Sequence, residues 1–481
     1  MSSNVAELIN MDSLLHKSLL QTNQLETLVS RYADIKVLHN SNIKSVIAFY
    51  CEGMIDTQQL NHYYQAVLDY LENESKEDSL EELPPIQKLF TKKEMVDRMF
   101  SGELLFYKEG TNYFLSVNIA NIPQRTPEES KTEVSIKGPR DGFTESIFTN
   151  ISLIRKRFKT DQLYNEQFEL GSLSKTKVSL LYLHDKADKK VINEVRERLT
   201  SFESESVISG AQLEQWLSNK TFSLFPLFDY ITRPDFAVES MLRGRFIIVI
   251  DGSPMVLVGP SNIFLLIKSP EDVHFPYYFI IFQRLLRIVG LVIAICLPGF
   301  WLSISSVNID QLPFPLLATV VLSREGLPIP LALEALLILM LFELLREAGV
   351  RMPTAIGQTI SIVGGLIIGD AAIRAGLTSP TMIVVIALTA VSTYTLINQS
   401  LTGTVTILRV YVLIFSAVLG MYGFFVSIIS ILIYLSRLSS FNIAYLEPLS
   451  SLQYREMLSA FLFNPFRRKR FSTSMIQKWR R

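Results

Sequence analysis

Three stretches of this sequence carry no Asp, Glu, Lys or Arg: Ile288 to Ile309, Ala375 to Leu408 and Val410 to Ser436. Each exceeds the roughly 20 helical residues needed to cross a hydrocarbon core about 30 Å thick. Inside lipid every backbone donor and acceptor must bond within the protein, so such stretches are expected to be helices. Lys plus Arg (46) and Asp plus Glu (46) balance over the 481 residues, but most of the charge lies before Ile288 and after Ser436. The expectation is an α/β soluble N-terminal half built of two similar subdomains, followed by an all-α polytopic membrane domain. The boundaries read as residues 1–136, 137–280, 281–437 and a basic tail at 438–481.

The soluble half repeats itself. A β-branched run, Ile43 to Cys51, leads into a helix over Asp56 to Leu71, a second helix over Ile86 to Met99 and a hairpin turning at Glu109-Gly110. A strand over Val178 to Leu183, helices over Asp188 to Leu199 and Ala211 to Ser218, and a hairpin turning at Asp251-Gly252 repeat that order. Tyr50 and Asp56 correspond to Tyr182 and Asp188. Met99, Gly102 and Gly110 align with Met241, Gly244 and Gly252 without a gap. An internal duplication of one α/β unit accounts for this agreement. Between the copies, Lys137-Gly138-Pro139-Arg140 reads as a turn or an anion cradle. The helix after it ends in Arg155, Lys156 and Arg157, cations suited to anionic headgroups.

The N-terminus lacks a basic region followed by an apolar core, so no signal peptide is expected. Cys51 falls in a strand and Cys296 in a span, so no disulfide framework is expected. No phosphate-binding loop, dinucleotide fingerprint, HExxH or CxxC occurs, and the five histidines are scattered. A non-enzymatic protein without metal or cofactor fits these observations, and nothing points to nucleic acid.

Four spans are expected, at about Phe282 to Ile304, Ala355 to Ile373, Thr381 to Ile397 and Val410 to Leu435, with Leu331 to Leu345 re-entrant or interfacial. The basic tail, with Arg467, Arg468, Lys469 and Arg470 together, keeps the C-terminus cytoplasmic, and an even count keeps the N-terminus there too.

Two groups of residues stand out as functional candidates. Gly357, Ser361, Gly365 and Gly369 are four apart and share one helical face, which lets another backbone approach closely. That seam either packs within one subunit or meets copies of itself at a shared axis, lining an ion path beside Val363. The second group is ionisable: Glu334, Glu343, Arg346, Glu347 and Asp370 lie at or near membrane depth, where charge is costly and marks function by default. Glu343 with Arg346 and Glu347 with Arg351 are spaced to pair along one helix face, and Asp370 lies one turn before Arg374.

GPRDGF, TNISLIRKR, TRPDFAVESMLRGRFIIVIDGSPMVLVGP, SPED, PFPLLATVV and ELLREAGVRMPTAIGQTISIVGGLIIGDAAI together resemble the A subunits of spore germinant receptors, the GerA family, from about Gly138 to Arg437. The resemblance implies a multi-pass protein of the spore inner membrane, associated with itself, with lipid, with a permease-like B subunit that binds the nutrient and with a lipoprotein C subunit. It also implies that nutrient binding triggers ion release, with the A subunit as the conducting path. An ion-coupled secondary transporter and a non-conducting scaffold are the alternatives. Where relatives often read VGGVVIGQAAV, this chain reads VGGLIIGDAAI, placing Asp370 where they carry Gln.

Overall fold

The computed structural model describes residues 20–39, 45–72, 85–121, 137–218, 223–351, 369–447 and 449. The chain divides into two units, one comprising residues 1–221, 228–260 and 473–481, the other residues 222–227 and 261–472.

The first unit holds two antiparallel five-stranded sheets. In the first, β1 (Ile35–His39), β2 (Val46–Cys51), β3 (Ile86–Leu89), β4 (Glu103–Lys108) and β5 (Phe114–Asn118) lie in the order β1-β2-β4-β5-β3. The second contains β6 (Leu163–Leu170), β7 (Thr176–Leu183), β8 (Asp229–Ile231), β9 (Phe246–Ile250) and β10 (Val256–Gly259), in the order β6-β7-β9-β10-β8. The two orders are the same permutation, as a duplication requires. The paired turn glycines agree as well, with φ of 88° at Gly102 and 87° at Gly244, and 85° at Gly110 and 81° at Gly252. That left-handed region admits glycine without the clash a Cβ would bring. Asp56 and Asp188 each accept the amide two residues on, capping the helix that follows.

The run VIAFYC lacks a polar face because both faces of its sheet are covered. Ile47, Phe49 and Cys51 pack with α1 (Thr22–Val29) and α3 (Lys92–Met99). Val46 and Ala48 pack on the other side with Val67, Leu68 and Leu71 of α2 (Thr57–Glu72). The expected helix from Ile86 to Met99 is instead strand β3 followed by α3, because Thr91 caps the helix at Glu94 and separates the two.

A buried ion pair joins the copies. Arg155, at the end of α4 (Ile147–Arg155), donates from Nε to Asp34 Oδ2 at 2.7 Å and from Nη2 to Oδ1 at 3.1 Å. Asn165 of β6 donates to the same carboxylate at 3.1 Å, and the guanidinium lies 4.1 Å from the Phe100 ring centre. Burial pushes the Asp34 carboxyl up, but the Arg155 charge and the hydrogen bonds outweigh it and hold the group below its ordinary value. Arg157 is held bidentately by Asp141. Anionic headgroups are one reading of the cations at this helix end, and two of the three, Arg155 and Arg157, are bound to carboxylates within the unit.

After α5 (Lys189–Thr200), α6 (Gly210–Leu217) and α7 (Pro234–Leu242) of the first unit, the second unit is built on helices. They are α8 (Tyr277–Leu302), α9 (Phe314–Ser323), α10 (Leu331–Arg351), α11 (Pro380–Thr393) and α12 (Gln399–Arg437). Among the described residues, two stretches, Tyr277–Val307 and Gln399–Arg437, are long and apolar enough to cross a membrane. Arg284 and Arg287, near the start of α8, both bond Asp272 of the SPED sequence, at 2.9 and 3.0 Å.

The last stretch is not one straight helix. Gly420 has φ 60° and ψ −140°, and Tyr411 Oη lies 2.7 Å from Ser430 Oγ. Nineteen residues would separate these atoms by about 28 Å along a continuous helix, so the chain reverses at Gly420. Leu224 confirms the reversal: its carbonyl accepts from Thr404 and its amide donates to Tyr434, one residue from each arm. The expected single crossing from Val410 to Leu435 is thus a helical hairpin, with arms at 399–419 and 421–437.

Contacts along the helices set their directions. Ala294 and Gly299 of α8 meet Arg409 and Val412, and Ser303 just beyond α8 meets Met421 just beyond the first arm of α12, so α8 and that arm run parallel. Leu302 clusters with Leu331 and Ala335 at the start of α10 and with Met382 at the start of α11. Further along, Glu343 reaches Arg409 and Ser392 reaches Gly290. Helices α10 and α11 therefore run opposite to α8. With 21 residues, α10 is about 31 Å long, longer than the segment expected there, because Arg346 to Arg351 continue it as helix.

Candidate functional site: charges among the apolar helices

Glu334 lies in the first turn of α10 and is 1% exposed. Its Oε1 accepts from Thr378 Oγ1 at 3.0 Å and from both the amide and the hydroxyl of Ser379 at 2.6 Å. Ser379 caps α11, so the carboxylate faces the positive end of a 14-residue helix. Oε2 has no hydrogen-bond partner among the described residues, and Arg324 Nε is 3.7 Å away. The carboxylate holds the starts of α10 and α11 together.

Nine residues further along α10, Glu343 anchors a larger network. Arg346 reaches its Oε2 at 2.6 Å from the same helix, and Thr406 donates to Oε1 at 3.3 Å. Arg409, 3% exposed, donates from Nη1 to Oε1 at 3.1 Å. Its Nη2 bonds Thr393 Oγ1 of α11, and its Nε donates to the Ala294 carbonyl of α8 at 2.7 Å. One side chain of α12 thus bonds three other helices.

The remaining sequence candidates are placed differently. Glu347 bonds Arg351 at 2.7 Å and Asp370 bonds Arg374 at 2.8 Å, and both pairs are exposed. Of the small-residue seam, Gly357, Ser361, Val363 and Gly365 lie outside the described residues. Gly369 is described, and among the described residues a Cβ built on it meets no atom closer than Ile383 Cδ1 at 4.0 Å.

Among the described residues, α8 carries two close approaches. A Cβ on Gly290 would fall against Thr395 Oγ1, and one on Gly299 would lie 2.7 Å from Val412 Cγ1 and 2.8 Å from Ser416 Oγ. At the hairpin tip, Asn308 Oδ1 accepts the Met421 amide at 3.0 Å, bonding a donor that the break at Gly420 releases. Sequence reading passed over Gly290 and Gly299 because they are nine apart, outside the four-residue spacing of a seam. It passed over Arg409 because a lone cation between uncharged stretches looks like the edge of a membrane. Among the described residues no group of three or more His, Cys, Asp or Glu side chains is placed to hold a metal.

This arrangement is a set of hydrogen-bonded charges tying helices together, with Glu334 and Arg409 buried and Glu343 and Arg346 half-buried. Comparison with known proteins identifies its setting. Residues 18–474 match the family described as Bacillus/Clostridium GerA spore germination protein. Spore germination protein XA of Bacillus anthracis is 42% identical over 448 residues, covering 90% of this chain and 91% of the relative. Spore germination protein KA of Bacillus subtilis (strain 168) is 32% identical, covering 87% and 78%. The crystal structure of the N-terminal domain of the A subunit of the Bacillus megaterium spore germinant receptor GerK3 is 27% identical, with a TM-score of 0.35, over 50% of this chain and 92% of that one. The chain belongs to the GerA family of spore germination proteins.

Proposed function

We propose that the chain is the A-type subunit of a nutrient germinant receptor in the spore inner membrane. It assembles with copies of itself, with a permease-like B subunit and with a lipoprotein C subunit, and its helical unit forms an ion path that opens when nutrient binds. The observation that supports a gated path most directly is the network of Glu343, Arg346 and Arg409 across four helices. Charge at that depth is retained against a cost of several kcal/mol, and a network shared among helices gives them discrete alternative arrangements. Nutrient binding elsewhere in the receptor shifts the balance between those arrangements by its differential affinity for them.

The helix directions favour six crossings over the four expected from sequence. Helix α8 runs one way, and α10 and α11 run the other. The span expected over about Ala355 to Ile373, most of it outside the described residues, and the two arms of α12 complete the count. An even number leaves both termini on one side, which the basic tail makes the cytoplasmic one.

Monovalent-cation release from spores tests the ion path. With the variant protein at normal abundance, Gly365→Leu is expected to abolish nutrient-triggered release, and normal release would refute the reading. The proline inside α8 and the buried Glu334 favour a second reading, an ion-coupled transporter with interrupted helices. Flux that saturates with a co-transported substrate would identify it.

A further inference from the structure

Proline at position 298 lies inside α8 and has no amide hydrogen, so the carbonyl one turn earlier, that of Ala294, loses its helical partner. An unmatched carbonyl in an apolar setting is costly, and neighbouring side chains usually satisfy it. Here the donor is Arg409 Nε at 2.7 Å. Gly299, next to the proline, lets Val412 and Ser416 of α12 approach closely, which brings Arg409 within reach. The other two guanidinium nitrogens go to Glu343 and Thr393.

The charge balance decides what this junction can do. Two guanidinium groups, those of Arg346 and Arg409, share the Glu343 carboxylate. That excess of positive charge suits holding helices together more than binding a passing cation. The three nitrogens of Arg409 instead fix the spacing of α8, α10 and α11 around α12. We propose that Arg409 is a positioning residue holding these helices in their resting arrangement, and that Pro298 is present to supply its acceptor. This rests on the gated ion path proposed above.

Lysine keeps the charge but has one nitrogen, and it cannot span three helices from a single position. Pro298→Ala restores an amide that competes with Arg409 for the Ala294 carbonyl. Both changes weaken the same junction from opposite sides. The test uses spores carrying full-length Arg409→Lys, Pro298→Ala or both, with membrane abundance checked, and reads the nutrient concentration for half-maximal cation release. Each single variant is expected to lower that concentration about tenfold, within the 5- to 150-fold span of coupling free energies. The double variant is expected to match the single ones.

An unchanged half-maximal concentration in Arg409→Lys, or additive effects in the double variant, overturns the proposal. If Arg409→Lys does not accumulate, Pro298→Ala alone decides by the same criterion. Gly365→Leu in the same strain separates the two readings. If Gly365→Leu blocks release while Arg409→Lys responds normally, only the positioning role fails. If Gly365→Leu is also without effect, the ion path fails and the positioning role falls with it.

Discussion

At the residue scale the buried charges divide by what replaces water around them. Asp34 and Arg155 satisfy one another bidentately, with Asn165 completing the carboxylate. Asp34→Asn would leave Arg155 buried without a countercharge, a loss of about 3–5 kcal/mol. Amide hydrogen exchange on the detergent-solubilised full chain should show reduced protection in β2 and β6, the strands beside the pair. The pair also predicts a pH response. The folded Asp34 carboxyl lies below its ordinary value, so its contribution is fully present above the unfolded value of about 3.9. It is lost as pH falls further, through the folded value. Protection in β2 and β6 should therefore decline below about pH 4 in the native chain and not in Asp34→Asn. The residue type of these charges was legible in sequence, but their partners were not, because Asp34 and Arg155 are 121 positions apart and Glu343 and Arg409 are 66 apart. Spacing rules reveal pairs along one helix, such as Glu343 with Arg346, and are silent about pairs between helices.

At the scale of elements, the duplication was readable because glycines that must take positive φ leave a mark at fixed spacing. Strands β1, β6 and β8 were missed, as edge strands whose polar and apolar residues mix. The hairpin in α12 was missed for a different reason. An uninterrupted apolar run has no periodic signal to break, and a single glycine such as Gly420 resembles Gly403, which lies in regular helix. Their surroundings differ sharply. A Cβ on Gly420 would come within 2.7 Å of Asn308 Oδ1 and Val307 Cγ1, in a backbone region open to glycine alone, while one on Gly403 meets nothing within 4 Å. Gly420→Ala is expected to destabilise the detergent-solubilised protein by at least about 1–3 kcal/mol. Gly403→Ala should be neutral or stabilising by about 0.5–1 kcal/mol. Thermal melts of the two variants check this, and equal effects would contradict the reversal.

At the scale of the whole molecule, in the multi-pass arrangement proposed above, the hairpin determines which ends of the chain share a side of the membrane. Single cysteines introduced at Ser400 and Ser436 should react with an impermeant maleimide from the same side, and one at Tyr422 from the opposite side. Labelling of Ser400 and Ser436 from opposite sides would restore a single crossing. The same hairpin also orders events in time. The carbonyl and amide of Leu224 bond groups 180 and 210 residues further along the chain. At 5–20 residues per second a ribosome needs roughly 10–40 s to make that stretch. Throughout that interval the backbone of Leu224 has only water or provisional partners. Segment 223–227 is therefore among the last parts of its unit to reach its final bonds, and a chain released before residue 404 leaves the ribosome without ever completing them.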